Sequence, residues 1–409
     1  MGMLISFAAL FLSVILMQLS SGGVGPLDAL SGITLDFTTT QIGLLGSAHF
    51  LGFFIGCWWA PRLMGSVGHA RAFAAFTASG TIGLMAHMLV VDPWAWAGMR
   101  VASGVCVAGC YTVIEAWLNA KLTNDNRGRA MGIYRVTDMG AQLVAQMMIS
   151  VLEPASYVSY NILAMFCCAS LLPLVLTRHR QPETPTAPRL RPSLAFKASP
   201  LAAMGVIVAS LSGATFRMVG PLYGERVGLA IDQIAYFLAV FILGGALAQI
   251  PVGWLADKYD RRYVMIGLSI AAIISCIVTA SLQGLSPTGI MLTAFFFGLT
   301  SFPIYSVAAA HANDFATPEQ RVELAAALMF CFALGATAAP LVASRLIESY
   351  GPSAMFVMLA ASHGVLITFS VVRMRVRPTQ DAKTRYVWLP RTSFTIGRLT
   401  RPEDDDRPK

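Results

Sequence analysis

Charged residues are scarce in this chain. Asp, Glu, Lys and Arg make up 12% of its 409 residues, whereas hydrophobic residues make up 56%. Soluble domains usually carry about 25% charged residues. A soluble fold could not bury this much apolar surface. The composition therefore excludes a soluble protein and indicates that the chain lies in a membrane. The net charge of +8 requires no nucleic acid, because anionic lipid at the inner face attracts the same residues.

The segments predicted to lie outside the membrane also lack the groups that other classes of protein need. All seven cysteines fall within apolar segments, which excludes a disulfide framework in the outer loops. Those loops are short and offer no nucleophile, metal cluster or phosphate cradle, so we expect no enzyme, no cofactor and no metal site. The first apolar segment is too long for a cleavable signal peptide, and no small-residue cleavage site follows it.

Twelve apolar segments are long enough to span a bilayer as helices, which takes about 20 residues each. The first is interrupted by small residues, and we expect it to bend or end near Pro26. The predicted spans are 4–30, 41–63, 71–91, 95–119, 129–151, 157–177, 199–222, 231–255, 262–282, 286–310, 321–346 and 353–373.

The charges are sorted by side of the membrane. If both termini lie inside, the inner loops and the tail hold most of the 29 Lys and Arg residues. Asp28, Asp36 and Asp92 then lie in outer segments. This asymmetry is the positive-inside pattern, so it predicts a multi-pass protein of the inner (cytoplasmic) membrane with both termini cytoplasmic.

A faint internal repeat predicts two related halves. Gln41-Ile42 recurs as Gln233-Ile234, and Leu51-Gly52 recurs as Leu243-Gly244, both 192 residues later (233 − 41 and 243 − 51). Parallel repeats of this kind build transporter sites between their halves. We predict bundles at 1–177 and 199–373 and a polar, proline-containing linker at 178–198. The basic tail at 374–409 is expected to be disordered or to lie on the inner membrane surface.

Two motifs resemble those of the major facilitator superfamily. Residues 253–262, GWLADKYDRR, resemble the family loop signature G-x-L-A-D-[RK]-x-G-[RK]-[RK] and depart from it at Asp260. Residues 100–108, RVASGVCVA, resemble a motif whose Arg is associated with proton coupling in drug and metabolite exporters. The antiporter signature G-x-x-x-G-P-x-x-G-G is absent from the fifth span.

The resemblance implies an all-α membrane protein with the superfamily fold, twelve transmembrane helices in two pseudo-symmetric six-helix bundles. It also implies transport by alternating access. In the family the loop signature latches the outward-facing state. The residues implied as a cytoplasmic gate are Gly253, Asp257, Lys258, Arg261 and Arg262.

Ionisable groups at membrane depth are costly and are functional candidates by default. Glu115, Arg135 and Asp138 occupy similar depth on consecutive spans, and with Arg100 they are our proton-coupling candidates. One interpretation is a structural ion network around Arg135. The other is a carboxylate, Glu115 first and Asp138 second, whose protonation drives the conformational cycle. The substrate-cavity candidates are Arg217, Gln142, Gln146, Gln249, Tyr305 and Ser306.

These patterns favour proton-coupled export of an amphipathic compound or metabolite. Proton-coupled uptake of a small organic acid through Arg217 is the alternative, and a non-transporting receptor or scaffold is the alternative of another class. The expected partners are a small-molecule substrate, protons and a bilayer with an anionic inner leaflet. We expect no nucleic acid, and a monomer.

Overall fold

The structure is a computed structural model. It describes residues 2–122, 124–176, 189–281 and 286–376, together with residues 384, 386–388, 393, 394 and 397 of the tail. Most of the predicted linker, residues 178–188, lies outside the described residues, and so do 377–383 and 398–409 of the predicted tail. Secondary structure in the described part of the chain is helical.

Fifteen α-helices and one 3₁₀ turn, Pro318–Gln320, make up this part of the chain. The first half contains α1 (Gly2–Thr34), α2 (Thr39–Val67), α3 (His69–Ala86), α4 (Pro93–Lys121), α5 (Asn124–Met148), α6 (Tyr157–Ala169) and α7 (Leu171–Val175). The second half contains α8 (Pro192–Ala198), α9 (Pro200–Arg226), α10 (Ile231–Lys258), α11 (Arg261–Ser281), α12 (Pro287–Ser301), α13 (Ile304–Asn313), α14 (Arg321–Tyr350) and α15 (Ala354–Val376).

Together these helices form twelve segments that are long enough to span a membrane. Helices α6 and α7 form one continuous segment, α12 and α13 form another, and α8 is too short to span. Ten of the spans are apolar enough to cross a membrane by composition; α3 and α5 are the more polar two. The prediction of two six-helix groups is confirmed. We call the end that holds the start of α1 and the end of α15 the inner end, and the opposite end the outer end.

The repeated glycines mark equivalent close contacts in the two halves. A Cβ atom at Gly52 of α2 would lie 1.9 Å from the carbonyl oxygen of Val101 in α4. A Cβ atom at Gly244 of α10 would lie 2.2 Å from the carbonyl oxygen of Phe295 in α12. The repeat therefore records where two helices must touch backbone to backbone, which small residues permit.

The first helix does not end near Pro26, as the sequence suggested it could. It continues to Thr34 with Pro26 inside it, and Asp28 is 2% exposed. The prediction that Asp28 lies in an outer segment is therefore wrong. Neighbouring helices pack against this stretch, and such packing lets membrane helices tolerate an internal proline.

The two halves touch directly at the outer end. Arg226 Nη2 donates to Thr39 Oγ1 at 3.0 Å, and the Leu341 amide donates to Ser47 Oγ at 3.2 Å. At the inner end, described tail residues lie between the halves. Ser393 is fully buried and Phe394 is 2% exposed. For these residues the expectation of a disordered or membrane-surface tail is wrong, because the tail carries aromatic side chains that bury their area against both halves.

Candidate functional site

A cavity of about 110 Å³ lies between the two halves, near the middle of the spans. Helices α1, α2, α4 and α5 of the first half line it, and so do α9 and α14 of the second half. Its polar lining residues are Gln18, Ser21, His49, Tyr111, Arg135, Asp138, Gln142 and Arg217. The apolar lining includes Phe50, Phe53, Met218, Phe302, Phe332 and Trp388. The site therefore combines charged groups with aromatic surface.

Asp138 is the carboxylate of this cavity. Its Oδ1 accepts hydrogen bonds from Gln18 Nε2 and from the Tyr111 hydroxyl, both at 2.8 Å. The two donors come from α1 and α4, so the carboxylate of α5 joins three helices of the first half. Protonation would turn one of its acceptor oxygens into a donor, and a proton on Oδ1 would compete with these two contacts.

Two arginines, one from each half, face the same cavity. Arg135 is 3% exposed, and neither its Nε nor its Nη2 has a hydrogen-bond partner. Its guanidinium carbon lies 5.8 Å from the centre of the Trp388 ring. Arg217 of α9 is partly buried and also lines the cavity. Two cations and one carboxylate give the cavity an excess of positive charge, with unused donors for an acceptor group.

Glu115, the first choice for the proton-sensitive group, does not line the cavity. It is 2% exposed and lies toward the inner end, where it accepts from Tyr134 Oη at 3.4 Å and from Ser393 Oγ. Glu115 and Asp138 both interact electrostatically with Arg135, whose Nε and Nη2 have no hydrogen-bond partner. The predicted three residues are therefore neighbouring charged groups.

The remaining predicted cavity residues divide into two groups. Gln142 lines the cavity, and its Nε2 lacks a hydrogen-bond partner. The other four lie outside the lining. Gln146 Nε2 donates to the Gly22 carbonyl at 3.1 Å, and the Tyr305 hydroxyl lies 3.6 Å from the sulfur of Met329. Gln249 and Ser306 interact with Tyr386 of the tail.

Arg100 belongs to a separate buried cluster near the outer end. Its Nε lies 3.3 Å from Asp28 Oδ2, and both side chains are 2% exposed. The Tyr160 hydroxyl donates to Asp28 Oδ1 at 2.9 Å, and His87 Nε2 lies 3.8 Å from Asp28 Oδ2. Arg100 also reaches the other half, where its Nη2 lies 4.0 Å from the sulfur of Met218.

Sequence reasoning missed Asp28 as the buried partner of Arg100, although two signals pointed to it. The residues around it, 24–34, are mostly apolar, which favours a continuous span over a loop. A buried arginine at position 100 also needs an anionic partner. Gln18 and Tyr111 were missed as well, because neutral polar side chains on apolar helices give no strong pattern.

The predicted gate residues lie at the inner end, and most of their partners belong to the second half or the tail. Arg261 is 1% exposed and contacts Asp314 Oδ1 at 2.5 Å and the Ala310 carbonyl at 2.7 Å. Asp257 lies 3.5 Å from Arg261 and accepts the backbone amide of Tyr386 at 2.7 Å. Gly253 provides room for the Tyr386 ring, because a Cβ atom there would lie 2.7 Å from it.

The other two cations of the motif contact side chains that are close to them in the sequence. Arg262 pairs with Asp260 at 2.6 Å, so the residue that departs from the family signature supplies a carboxylate for its neighbour. Lys258 stacks over Trp254 at 4.8 Å. Among the described residues, no group of three His, Cys, Asp or Glu side chains could hold a metal ion.

Comparisons with known proteins agree with this architecture. A sequence profile of the Major Facilitator Superfamily matches residues 10–204 and again residues 202–401. An MFS-type transporter of Enterobacter sp. (strain 638) is 26% identical over 349 residues, 84% of this chain and 89% of the relative. The MFS-type transporter YcaD of Salmonella heidelberg (strain SL476) is 27% identical over 333 residues, 79% of this chain and 84% of the relative.

Solved structures share the fold at low identity. The nucleoside transporter NupG superposes with a TM-score of 0.75 at 16% identity, covering 90% of this chain and 99% of NupG. A bacterial homologue of the human lysosomal transporter Spinster, in an inward-facing and occupied conformation, gives a TM-score of 0.70 at 16% identity and covers 91% of this chain and 94% of the homologue. The chain is a multi-pass membrane transporter and belongs to the Major Facilitator Superfamily.

Proposed function

We propose that this transporter moves a small amphipathic molecule with an anionic group across the inner membrane, with proton coupling and alternating access. The observation that carries the proposal is the cavity between the halves, which contains Asp138, Arg135 and Arg217 together. A site at the interface of two repeats can open to either side as the halves rock around it.

The arginines support an anionic group on the substrate. Arg135 has two donors without partners at a buried position, and a guanidinium binds carboxylates and phosphates through paired hydrogen bonds. Leaving such donors unsatisfied is costly, so a substrate oxygen would be stabilised there. The phenylalanine rings of the lining favour an apolar body on the same molecule.

Two carboxylates support proton coupling. Asp138 accepts two hydrogen bonds at the cavity, and Asp28 accepts one while it pairs with Arg100. Arg100 also contacts Met218 in the other half, so a change in the charge of Asp28 acts where the halves meet. Protonation of either carboxylate removes a charge from the interior of the transporter and changes which state of the protein is favoured.

Export is the direction that the Arg100 motif favours by its resemblance to exporters. Uptake of a small organic acid is the second candidate, and the presence of both Arg135 and Arg217 at one cavity favours it. The two candidates share the site and differ in whether protons move in the opposite direction to the substrate or in the same direction. Proton flux measured against an imposed substrate gradient separates them.

The test is transport into proteoliposomes with an internal pH dye. A panel of small amphipathic carboxylates is compared with amphipathic amines of matched size, in wild type and in Asp138→Asn. Asp232→Asn is the matched control, because Asp232 is exposed at the start of α10. We expect carboxylate-dependent proton flux that Asp138→Asn abolishes and Asp232→Asn retains.

Proton flux with the amines alone would refute the anionic substrate. Carboxylate uptake without proton movement would refute the coupling. Saturable carboxylate binding without flux would favour the receptor alternative.

A further inference from the structure

The described tail residues fill the gap between the two halves at the inner end. We call six of them the tail plug: Thr384, Tyr386, Trp388, Ser393, Phe394 and Gly397. Three of them, Ser393, Phe394 and Gly397, are buried, and the other three are partly buried. Val387, in the same segment, is 38% exposed. Because these six residues are buried or partly buried, we interpret the described part of the tail as docked on the protein.

The plug contacts the first half through two aromatic rings and one hydroxyl. The Phe394 ring lies 5.8 Å from that of Phe54 in α2, and the Phe394 backbone interacts with the Cys57 thiol one turn farther along. Ser393 Oγ donates to the buried carboxylate of Glu115 in α4. The Trp388 ring lies 5.8 Å from the guanidinium carbon of Arg135 in α5.

The plug contacts the second half mainly through hydrogen bonds. The Thr384 amide and its hydroxyl both donate to Asp314 Oδ1 at 2.8 Å. The Tyr386 amide donates to Asp257 at 2.7 Å, and its hydroxyl donates to Gln249 Oε1 at 2.8 Å. Burial raises the pKa of Tyr386 to about 12, so this hydroxyl stays protonated and remains a donor at neutral pH.

The plug also reaches the cavity itself. Trp388 is one of the lining residues, in the same cavity as Asp138 and Arg217. A molecule that enters from the inner end between the halves therefore meets the tail before it reaches the charged groups. The halves also cannot close at the inner end while aromatic side chains of the tail occupy the space between α2, α5 and α10.

We propose that the inner gap between the halves is a binding site for this chain's own tail, and that the docked tail plug blocks access to the central cavity from the inner side. The plug is attached to both halves, so it holds them apart as well as closing the entrance. Transport then requires the tail to leave the gap. The tail is an intrinsic regulator, and its docked fraction sets how much of the protein can accept a substrate at this face.

The first experiment tests docking in solution. Phe394→Cys is introduced into the full chain in nanodiscs, and copper phenanthroline oxidises the new thiol together with the native Cys57 thiol to a disulfide. We expect an intramolecular cross-link, detected as a linked peptide pair by mass spectrometry. The same variant carrying Cys57→Ala is the control and must lose that pair. Absence of the cross-link with Cys57 present would overturn the proposal.

The second experiment tests blocking, with a cavity reporter. Ser21 lines the cavity, and Ser21→Cys is labelled with a bulky maleimide in nanodiscs, where both faces are open to the reagent. In the cross-linked protein we expect labelling to be slower by about tenfold or more than in the Tyr386→Ala, Trp388→Ala variant, because the reagent reacts only with the undocked fraction. Val387→Ala, at the exposed position, is the matched control and should label like wild type.

Equal labelling of Ser21→Cys in the cross-linked protein and in the Tyr386→Ala, Trp388→Ala variant would overturn the blocking role. A second comparison uses the cross-linked and the reduced forms of the same protein, so it needs no tail substitution besides Phe394→Cys. We expect Ser21→Cys to be labelled faster in the reduced form than in the cross-linked form. This comparison keeps the test valid if the double variant folds poorly, and it requires no knowledge of the substrate.

Discussion

The Asp28–Arg100 pair can be compared with a second ion pair of equal length to isolate the effect of burial on its contribution to stability. Arg100 Nε and Asp28 Oδ2 are 3.3 Å apart with both side chains 2% exposed. Arg345 Nη1 and Glu348 Oε2, in α14, are also 3.3 Å apart, with side chains 69% and 34% exposed. The two pairs have the same separation and differ in their access to solvent.

Burial predicts opposite double-mutant behaviour for the two pairs. Removing one partner of a buried pair costs about 3–5 kcal/mol, because the other charge is left unpaired, whereas replacing both is close to neutral. We therefore expect Asp28→Asn and Arg100→Met each to lower the free energy of unfolding by that amount. The double variant should be less destabilised than either, because Tyr160, which donates to the Asp28 carboxylate, can still donate to the amide oxygen of the substituted side chain. An exposed pair contributes about 0.2–1 kcal/mol, so the non-additivity of its cycle should not exceed about 1 kcal/mol.

The assay is equilibrium unfolding in mixed micelles, with both cycles measured under the same conditions. Additive losses in the buried cycle, or a coupling energy in the exposed cycle as large as that of the buried cycle, would refute the reasoning.

Three further predictions use other parts of the chain. Glu115→Gln should abolish proton-coupled transport in proteoliposomes while the protein stays folded, and undiminished coupling would contradict a proton-sensitive Glu115. Gly52→Ala should cost about 1–3 kcal/mol by overpacking against the Val101 carbonyl, measured as lower thermal stability in detergent. Gly83→Ala is its control, because no atom lies within 4 Å of a Cβ there. A membrane-permeant maleimide should modify Cys168 before the other six cysteines, which are buried, and mass spectrometry of timed samples would show a different order if this is wrong.

The helix pattern was predictable because the membrane imposes it. An apolar run of sufficient length must be helical in a bilayer, and the repeat located the glycines at which α2 meets α4 and α10 meets α12. The segments 71–91 and 129–151 were among the twelve predicted spans, although the corresponding helices α3 and α5 are more polar than the other ten. On α5, the polar residues Arg135, Asp138 and Gln142 share one helix face.

The site was only partly predictable, because pairing depends on which helix faces come together. The sequence identified Arg135, Asp138 and Arg217, whose charges stand out within apolar runs, and the structure brings all three to one cavity. It could not show that Tyr111 and Gln18 bond to Asp138, since neutral groups from three helices meet there. The location of Asp28 was obscured by Pro26, which reads as a helix end in a soluble protein but not in a packed membrane helix.

The position of Arg135 connects the two proposals. Its guanidinium faces the cavity, and it also lies against the Trp388 ring of the tail plug. An anionic substrate in the cavity would change the net charge beside the Trp388 ring. A docked Trp388 covers part of the cavity surface that the substrate needs. Two ligands that share one residue are thermodynamically linked, so a substrate that weakens tail docking by some factor must itself bind more weakly, by the same factor, to the docked form. Measuring the rate of the Phe394→Cys cross-link to Cys57 with and without a saturating carboxylate would show the effect of the substrate on docking. A cross-linking rate that is independent of the carboxylate would show that Arg135 does not couple the tail to the cavity.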